Sequence, residues 1–355
     1  MLSSLRLIDF RCFESLSLEL PEQGGIFIGD NAQGKTSILE AICVLVRLHS
    51  PRAKTMRPMV RFEAPALGVA GECWEREIAV RFGRGNVNLK VDGEELATQN
   101  EFLQQSGLIV WMGNEDVDLV RGSGGGRRHY LDFICSQLDH GYRRALSRYR
   151  RALKARNLLL KDREPRDAEL NAYAEIMIEN GDYITAVRQR IVALIQPLAN
   201  KAQQALSRNS EELGVEYISG TAVDMRQALA ATAVSERRQR QTLAGPHRDD
   251  LKLSINGMPA ADFASEGQQR SIALSLKLSQ GEALQAEAKR TPVSLVDDVF
   301  GELDPARRNA LMDYLPTNAQ KFITTTTVDW LTGDWEKWPI FEVENGSAKR
   351  IVAEI

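Results

Sequence analysis

Gly29-Asp30-Asn31-Ala32-Gln33-Gly34-Lys35-Thr36 decides the fold of this 355-residue chain. The octet fits G-x-x-x-x-G-K-[ST], follows the apolar run Ile26-Phe27-Ile28 and opens into the helical pattern Ile38-Leu39-Glu40-Ala41-Ile42. A strand, a glycine-bearing loop and a helix in that order are the context in which this motif has physical meaning. Glycines let backbone N–H groups close around a phosphate, and the helix N-terminus adds partial positive charge. From Gly29, Asp30, Asn31, Ala32, Gln33 and Gly34 to Lys35, Thr36 and Ser37 the segment is therefore expected to wrap a nucleotide. Lys35 would meet the β- and γ-phosphates, and the Thr36 hydroxyl would ligate Mg²⁺.

A second motif lies far downstream. Val293-Ser294-Leu295-Val296 is an apolar strand that ends in Asp297 and Asp298. Beside a phosphate loop, such a strand end places Asp297 near the Mg²⁺ and leaves Asp298 to orient or deprotonate an attacking water. On its own it also reads as a buried strand capped by solvated acids.

Between the two motifs sits Ser265-Glu266-Gly267-Gln268-Gln269-Arg270, followed by the helical run Ile272 to Leu278. Ser265, Gly267 and Gln268 at a helix start describe either an ordinary serine cap or a second anion-seeking helix end. A chain with one phosphate loop and one further anion-binding helix end is built like the ABC ATPases, in which the second motif covers the γ-phosphate held by another subunit.

Organisation follows from periodicity. From Met1 to about Val110 short apolar runs alternate with turn signals, as in Leu5-Arg6-Leu7-Ile8, Ala79-Val80-Arg81-Phe82, and Val87 to Val91 before Asp92-Gly93. This part is read as strand-rich. From about Arg127 to Arg240 apolar residues fall at helical spacing, for example Leu146, Leu153 and Leu160, or Ile184, Val187, Ile191 and Ile195. Long helices are predicted there, folded back at Asp162-Arg163-Glu164-Pro165-Arg166. Strand and helix alternation returns after Gly245-Pro246. The expected architecture is an α/β head over 1–110 and 241–355 with an inserted helical arm over 111–240.

Net charge is −3 and the pI near 6.0, so attraction to polyanions has to come from local patches. Arg144, Arg148 and Arg151 are spaced to share one face of an arm helix, where they would meet DNA phosphates or form a solvated face. Cys12, Cys43, Cys73 and Cys135 lack metal spacing and read as reduced core residues. No run approaches the length of a membrane span, and the charged N-terminus forms no leader, so a cytoplasmic protein is expected.

Several blocks resemble the RecF family in the family's own order. They are Ile8-Asp9-Phe10-Arg11, Asn31 to Thr36 with Leu39-Glu40-Ala41-Ile42, and Glu115-Asp116 through Tyr130-Leu131-Asp132. Gly245-Pro246-His247-Arg248-Asp249-Asp250-Leu251 and Asp297-Asp298-Val299-Phe300-Gly301-Glu302-Leu303-Asp304 complete the set. The resemblance implies a P-loop ABC/SMC-head-like ATPase with a helical arm (lobe II). It implies Arg11 beside the nucleotide, Asp304 reaching across a head-to-head homodimer, and two ATP with Mg²⁺ sandwiched between copies. It further implies slow, DNA-stimulated hydrolysis and action with RecO and RecR in loading RecA at single-stranded or duplex gap junctions. Asn114 and Gly124 depart from it, standing where the family carries prolines. The Gly245 to Asp249 block reads equally as a turn returning from the arm, with His247 and Arg248 paired to Asp249 or Asp250.

Overall fold

The computed structural model describes residues 1–164, 166–221, 224–331 and 333–351, and the chain divides into two compact units. One comprises Met1–Asp116 with Leu284–Ile355, the other Val117–Ala283.

The first unit holds two six-stranded sheets. In one, strands Ser4–Phe10, Phe13–Glu19, Ala66–Cys73, Arg76–Gly83, Asn86–Val91 and Glu94–Glu95 pair antiparallel. Alternating burial along Ser4–Phe10 and Arg76–Gly83 marks one covered face. In the other, Ile340–Glu344, Gly24–Ile28, Lys321–Thr325, Val293–Asp297 and Ile109–Gly113 run parallel, with Ser347–Ile351 antiparallel at the edge. Val293–Asp297, Lys321–Thr325 and Ile109–Gly113 are buried at every position, as strands covered on both faces are. The helix Lys35–Arg47 contacts strands of both sheets. It is buried nearly all round, which is why Ile38 to Val46 is apolar without a polar face.

The second unit is a helical body closed by a small antiparallel sheet. Helices Gly124–Leu138, Tyr142–Leu159, Asp167–Leu206 and Met225–Gln239 supply most of it. Ile184, Val187, Ile191 and Ile195 are buried as their spacing predicts, and on Tyr142–Leu159 the buried stripe is Tyr142, Ala145, Tyr149 and Ala152, with Leu146 and Leu153 flanking it. The predicted break falls between Leu159 and Asp167, with Pro165 itself outside the described residues.

The predicted boundaries shift at both ends. The arm, expected over 111–240, forms a unit that starts at Val117 and continues to Ala283. Leu213–Ile218, inside the expected helical arm, is a strand that pairs with Asp250–Ile255, and Ile272, Leu276 and Ala283 enter the same core as the arm helices. The segment 241–283 therefore packs with the arm, through pairing that local periodicity does not report. Ile109–Gly113, meanwhile, joins the parallel sheet of the first unit.

The block Gly245 to Asp249 is a turn held by a buried ionic network rather than by its own neighbours. Arg188, 2% exposed, donates to Asp249 Oδ2 at 2.6 Å, to the Pro246 carbonyl at 2.7 Å, to Asp132 Oδ1 at 2.7 Å and to the Tyr142 hydroxyl at 2.9 Å. Asp249 also accepts from Tyr217 and from the Gly220 N–H. Asp250 pairs with Arg127, at 2.6 and 2.9 Å. His247 and Arg248 thus do not pair with Asp249 or Asp250. His247 Nε2 faces the Thr242 carbonyl, which only accepts, so Nε2 carries the proton and Nδ1 accepts from the Tyr149 hydroxyl at 2.6 Å. Burial pushes the His247 pKa below its ordinary value, in keeping with this neutral tautomer. Gly124 starts its helix beside the Arg127–Asp250 pair. A Cβ there would lie 2.9 Å from Arg128 Nη1 and from Asp250 Oδ2.

Removing Arg188 leaves the buried Asp249 without a cation and Asp132 with only the exposed Arg150. Arg188→Met is expected to cost about 3–5 kcal/mol, the range for breaking a buried pair from one side. Urea denaturation of both proteins measures it, and an unchanged midpoint at unchanged slope would show that the network is not what holds this turn.

Candidate nucleotide site

The phosphate loop is shaped by its glycines. Gly34 has φ +107°, and a Cβ there would lie 2.7 Å from Cys12 Sγ and 2.8 Å from the Phe13 ring. At Gly29 a Cβ would lie 2.3 Å from the Val343 carbonyl oxygen. Backbone therefore passes where side chains do not fit. Lys35 folds back over the loop and donates to the Gly29 carbonyl at 2.6 Å and the Asp30 carbonyl at 2.8 Å. Burial lowers its pKa, an effect offset in part by Asp298 and Asp297.

Parallel pairing brings the second motif to the loop. Val293–Asp297 lies beside Lys321–Thr325, which lies beside Gly24–Ile28, with Asp297 opposite Thr324. Thr36 and Thr324 both donate to Asp297 Oδ1 at 2.7 Å. The Thr324 hydroxyl also accepts from the Asp298 N–H at 2.9 Å. Burial raises the Asp297 pKa against the lowering effect of those two hydroxyls. Burial raises that of Asp298 too, opposed by Lys35 and reinforced by Glu302. Asp298 sits at φ +55°, an unusual conformation for a residue with a side chain, such as functional turns hold.

Arg11 is fixed from three sides. Nε and Nη2 donate to Glu40 at 2.8 and 2.7 Å, and Nη1 donates to the Pro58 carbonyl at 2.8 Å. Glu40 is fully buried and also accepts from Ser50 at 2.5 Å. Of the five guanidinium N–H groups two remain for a ligand. A cavity of about 520 Å³ is lined by Arg11, Asn31, Lys35, Thr36, Arg52, Asp298 and Thr324, among others. Its size falls within that of ordinary ligand sites, roughly 300–1,000 Å³. The donor set suits Mg²⁺. Thr36 Oγ1 and Asp297 Oδ1 lie 2.7 Å apart, close to the ~2.9 Å between neighbouring oxygens of an octahedron with 2.0–2.1 Å bonds, and such sites take few protein ligands.

The third motif belongs to the second unit. Ser265 caps the helix Glu266–Ala288 in a reciprocal box, its hydroxyl accepting from the Gln268 N–H at 3.3 Å and the Gln268 side-chain oxygen accepting from the Ser265 N–H at 2.9 Å. The N–H groups of Glu266 and Gly267 keep no protein partner among the described residues, and the Ser265 hydroxyl proton is free to point outward. Asp304, expected to reach across a dimer, caps the helix Pro305–Tyr314 by accepting from the Arg307 N–H at 3.0 Å.

Sequence reasoning missed Thr324, Glu40, Arg52 and Asn114. Thr324 ties the Asp297 carboxylate to the Asp298 backbone. Asn114 donates to the Asp298 carbonyl at 3.3 Å and to Glu302 at 2.8 Å. The one available signal was the strand register, which becomes visible only once the strands are paired.

A parallel-sheet phosphate loop joined to an acid-tipped strand, with a capped helix end in a second unit, defines a P-loop ATPase head of the ABC and SMC type. Residues 4–213 match the family described as an AAA domain. The Smc head domain derived from Pyrococcus furiosus shares the fold at 18% identity, with a TM-score of 0.55 over 99% of this chain and 95% of that one. Similarity to one family runs far deeper. The DNA replication and repair protein RecF of Exiguobacterium sp. is 32% identical over 98% of this chain and 98% of its own length. The solved recombination mediator RecF with ATP is 30% identical, with a TM-score of 0.89 over 99% of this chain and 97% of that chain. The chain belongs to the RecF family of DNA replication and repair proteins.

Thr324→Val removes one of two donors to a buried carboxylate and the acceptor of the Asp298 N–H at almost constant volume. It is expected to destabilise the protein by about 1–3 kcal/mol. Chemical denaturation of both proteins reads the change, and a midpoint and slope equal to those of wild type would remove Thr324 from the frame of the site.

Proposed function

We propose that this protein is an ATP-dependent DNA clamp of recombinational repair. Two copies close head to head around two ATP, each nucleotide held by Lys35 and the loop of one copy and by Ser265, Gly267 and Gln268 of the other. The single observation that carries the reading is the joint of Thr36, Asp297 and Thr324, which sets a hydroxyl and a carboxylate side by side at the mouth of a phosphate loop. The RecF relative solved with ATP supports the choice of nucleotide.

In this reading Lys35 exchanges its two carbonyl partners for phosphate oxygens. Thr36 and Asp297 hold Mg²⁺, which when bound neutralises phosphate charge. Arg11 offers its two remaining N–H groups to the nucleotide, and the loop residues Gly29 to Ser37 supply backbone donors. Asp298 accepts the proton of the attacking water, its raised pKa making it a stronger base than an ordinary carboxylate. Hydrolysis is slow and DNA-stimulated, and it resets the clamp. The protein works in the cytoplasm and helps RecO and RecR load RecA at gaps.

The arm supplies the DNA surface. Arg127, Arg150 and Arg156 are engaged by Asp250, Asp132 and Glu236. Arg144, Arg148 and Arg151 are exposed on Tyr142–Leu159, with no ion pair among the described residues. Their spacing of four and three sets them on one face, suited to successive phosphates.

Light scattering is expected to show an ATP- and Mg²⁺-dependent dimer that Ser265→Arg abolishes, and a Ser265→Arg protein that dimerises like wild type would end the composite-site reading. Asp298→Asn is expected to keep ATP binding and lose on the order of 10² to 10⁴ in turnover. Equal rates would remove Asp298 from the mechanism. Arg144→Glu with Arg148→Glu is expected to weaken DNA binding by the ATP dimer and to flatten its log-log salt slope by about 2. Unchanged affinity and slope would place the DNA surface elsewhere.

A further inference from the structure

The cap at Ser265 continues inward. Gln268 spends its side-chain oxygen on the Ser265 N–H, so its amide hydrogens need an acceptor, and they find Glu211 Oε1 at 3.1 Å. The other oxygen, Oε2, accepts from Gln203 Nε2 at 2.5 Å. Gln203 in turn accepts from the Ser275 hydroxyl at 2.9 Å. Gln203 and Ser275 are fully buried and Glu211 is 9% exposed. The chain of bonds therefore runs from the last turn of Asp167–Leu206, the long arm helix, through the loop that follows it, to the start of Glu266–Ala288. That loop is itself anchored, since the Glu212 N–H donates to Asn256 Oδ1 at 2.7 Å and the Leu213 N–H to Asn200 Oδ1 at 2.9 Å.

The polarity of this chain depends on one residue. Both amides point their NH₂ groups at Glu211, and only a carboxylate accepts from two sides without donating to either. We propose that Glu211 is a positioning residue for ATP hydrolysis. By fixing the Gln268 amide it holds the Ser265 cap, and thereby the N–H groups of Glu266 and Gly267, in the geometry that meets the γ-phosphate bound by a second copy. Through Gln203 it ties that geometry to the end of the arm helix. The inference rests on the composite-site reading above and names a residue that neither the phosphate loop nor the acid-tipped strand contains.

Glu211→Gln keeps size and shape but turns one oxygen into an NH₂ that opposes Gln268, or that Gln203 meets only by turning its amide over and losing the Ser275 hydroxyl as its donor. Exchanging the pair, Gln203→Glu with Glu211→Gln, recovers all four bonds: residue 203 then accepts from Ser275 and from residue 211, whose remaining oxygen accepts from Gln268. The experiment measures ATP-driven dimerisation, kcat and KM for ATP hydrolysis, and binding of a fluorescent ATP analogue to the monomer, all on the full chain. Glu211→Gln is expected to lower kcat and raise the ATP concentration needed for dimerisation by about tenfold, as for one buried bond left unmade. Analogue binding to the monomer stays unchanged, and the exchanged pair recovers much of the loss. A Glu211→Gln protein that dimerises and turns over like wild type overturns the inference. So does an exchanged pair that recovers nothing, and so does a loss that extends equally to analogue binding by the monomer, which is the mark of a purely structural role. Ser265→Arg, run alongside, separates the failures. If it dimerises like wild type the composite site is wrong, and if it alone is defective only the role of Glu211 falls.

Discussion

Asp297 is the constraint on which the first unit turns. A carboxylate at the end of a strand buried on both faces is costly unless its oxygens are satisfied. Here two threonine hydroxyls from different elements converge on one of them, Thr36 from the start of the helix and Thr324 from the neighbouring strand. The acid therefore fixes where the helix begins relative to the sheet, and so where Lys35 and the loop glycines lie. It also fixes the Asp298 turn, because the Thr324 hydroxyl that donates to Asp297 accepts the Asp298 N–H.

The two units treat buried acids in opposite ways, and the contrast separates site from scaffold. Asp249 and Asp132 share Arg188, Asp132 also meets Arg150, and both are locked by further donors. Asp297 is met by neutral hydroxyls and, among the described residues, by no ion pair, so its charge is left for something from outside. Hydrogen-bonding without neutralisation leaves a carboxylate's charge for a cation to meet, whereas an arginine makes it part of the frame. By the same criterion Arg11 is intermediate, paired with Glu40 yet keeping two free N–H groups at the cavity wall.

What was legible in the sequence was what is local. Gly29 to Thr36, the acid-tipped strand and the capped helix each occupy a few consecutive residues, and their types follow from the geometry of one turn. Residues that act through pairing were not legible. Thr324 acquires its role only in register with Asp297, and Leu213–Ile218 is a six-residue strand between helices whose partner lies some thirty residues on. That pairing draws 241–283 into the arm's unit and moves the boundary that helical periodicity had suggested. Composition likewise does not say which arginines of Tyr142–Leu159 already have acids to meet, as Arg150 and Arg156 do.

The capping box at Ser265 bears on why dimerisation would need the nucleotide. A helix end that has satisfied two of its groups internally offers an anion only two backbone N–H groups and one hydroxyl, on an exposed surface where each is well hydrated. Such a half-site holds phosphate poorly by itself. The phosphate loop is better equipped, with Lys35, a helix N-terminus and a place for Mg²⁺, and it binds nucleotide first. In the proposed dimer the γ-phosphate would then present oxygens for the weak half-site to complete, and burial between two copies would strengthen bonds that are worth little in water. A pair of half-sites unequal in strength makes association conditional on ATP, which two equally strong ones would not.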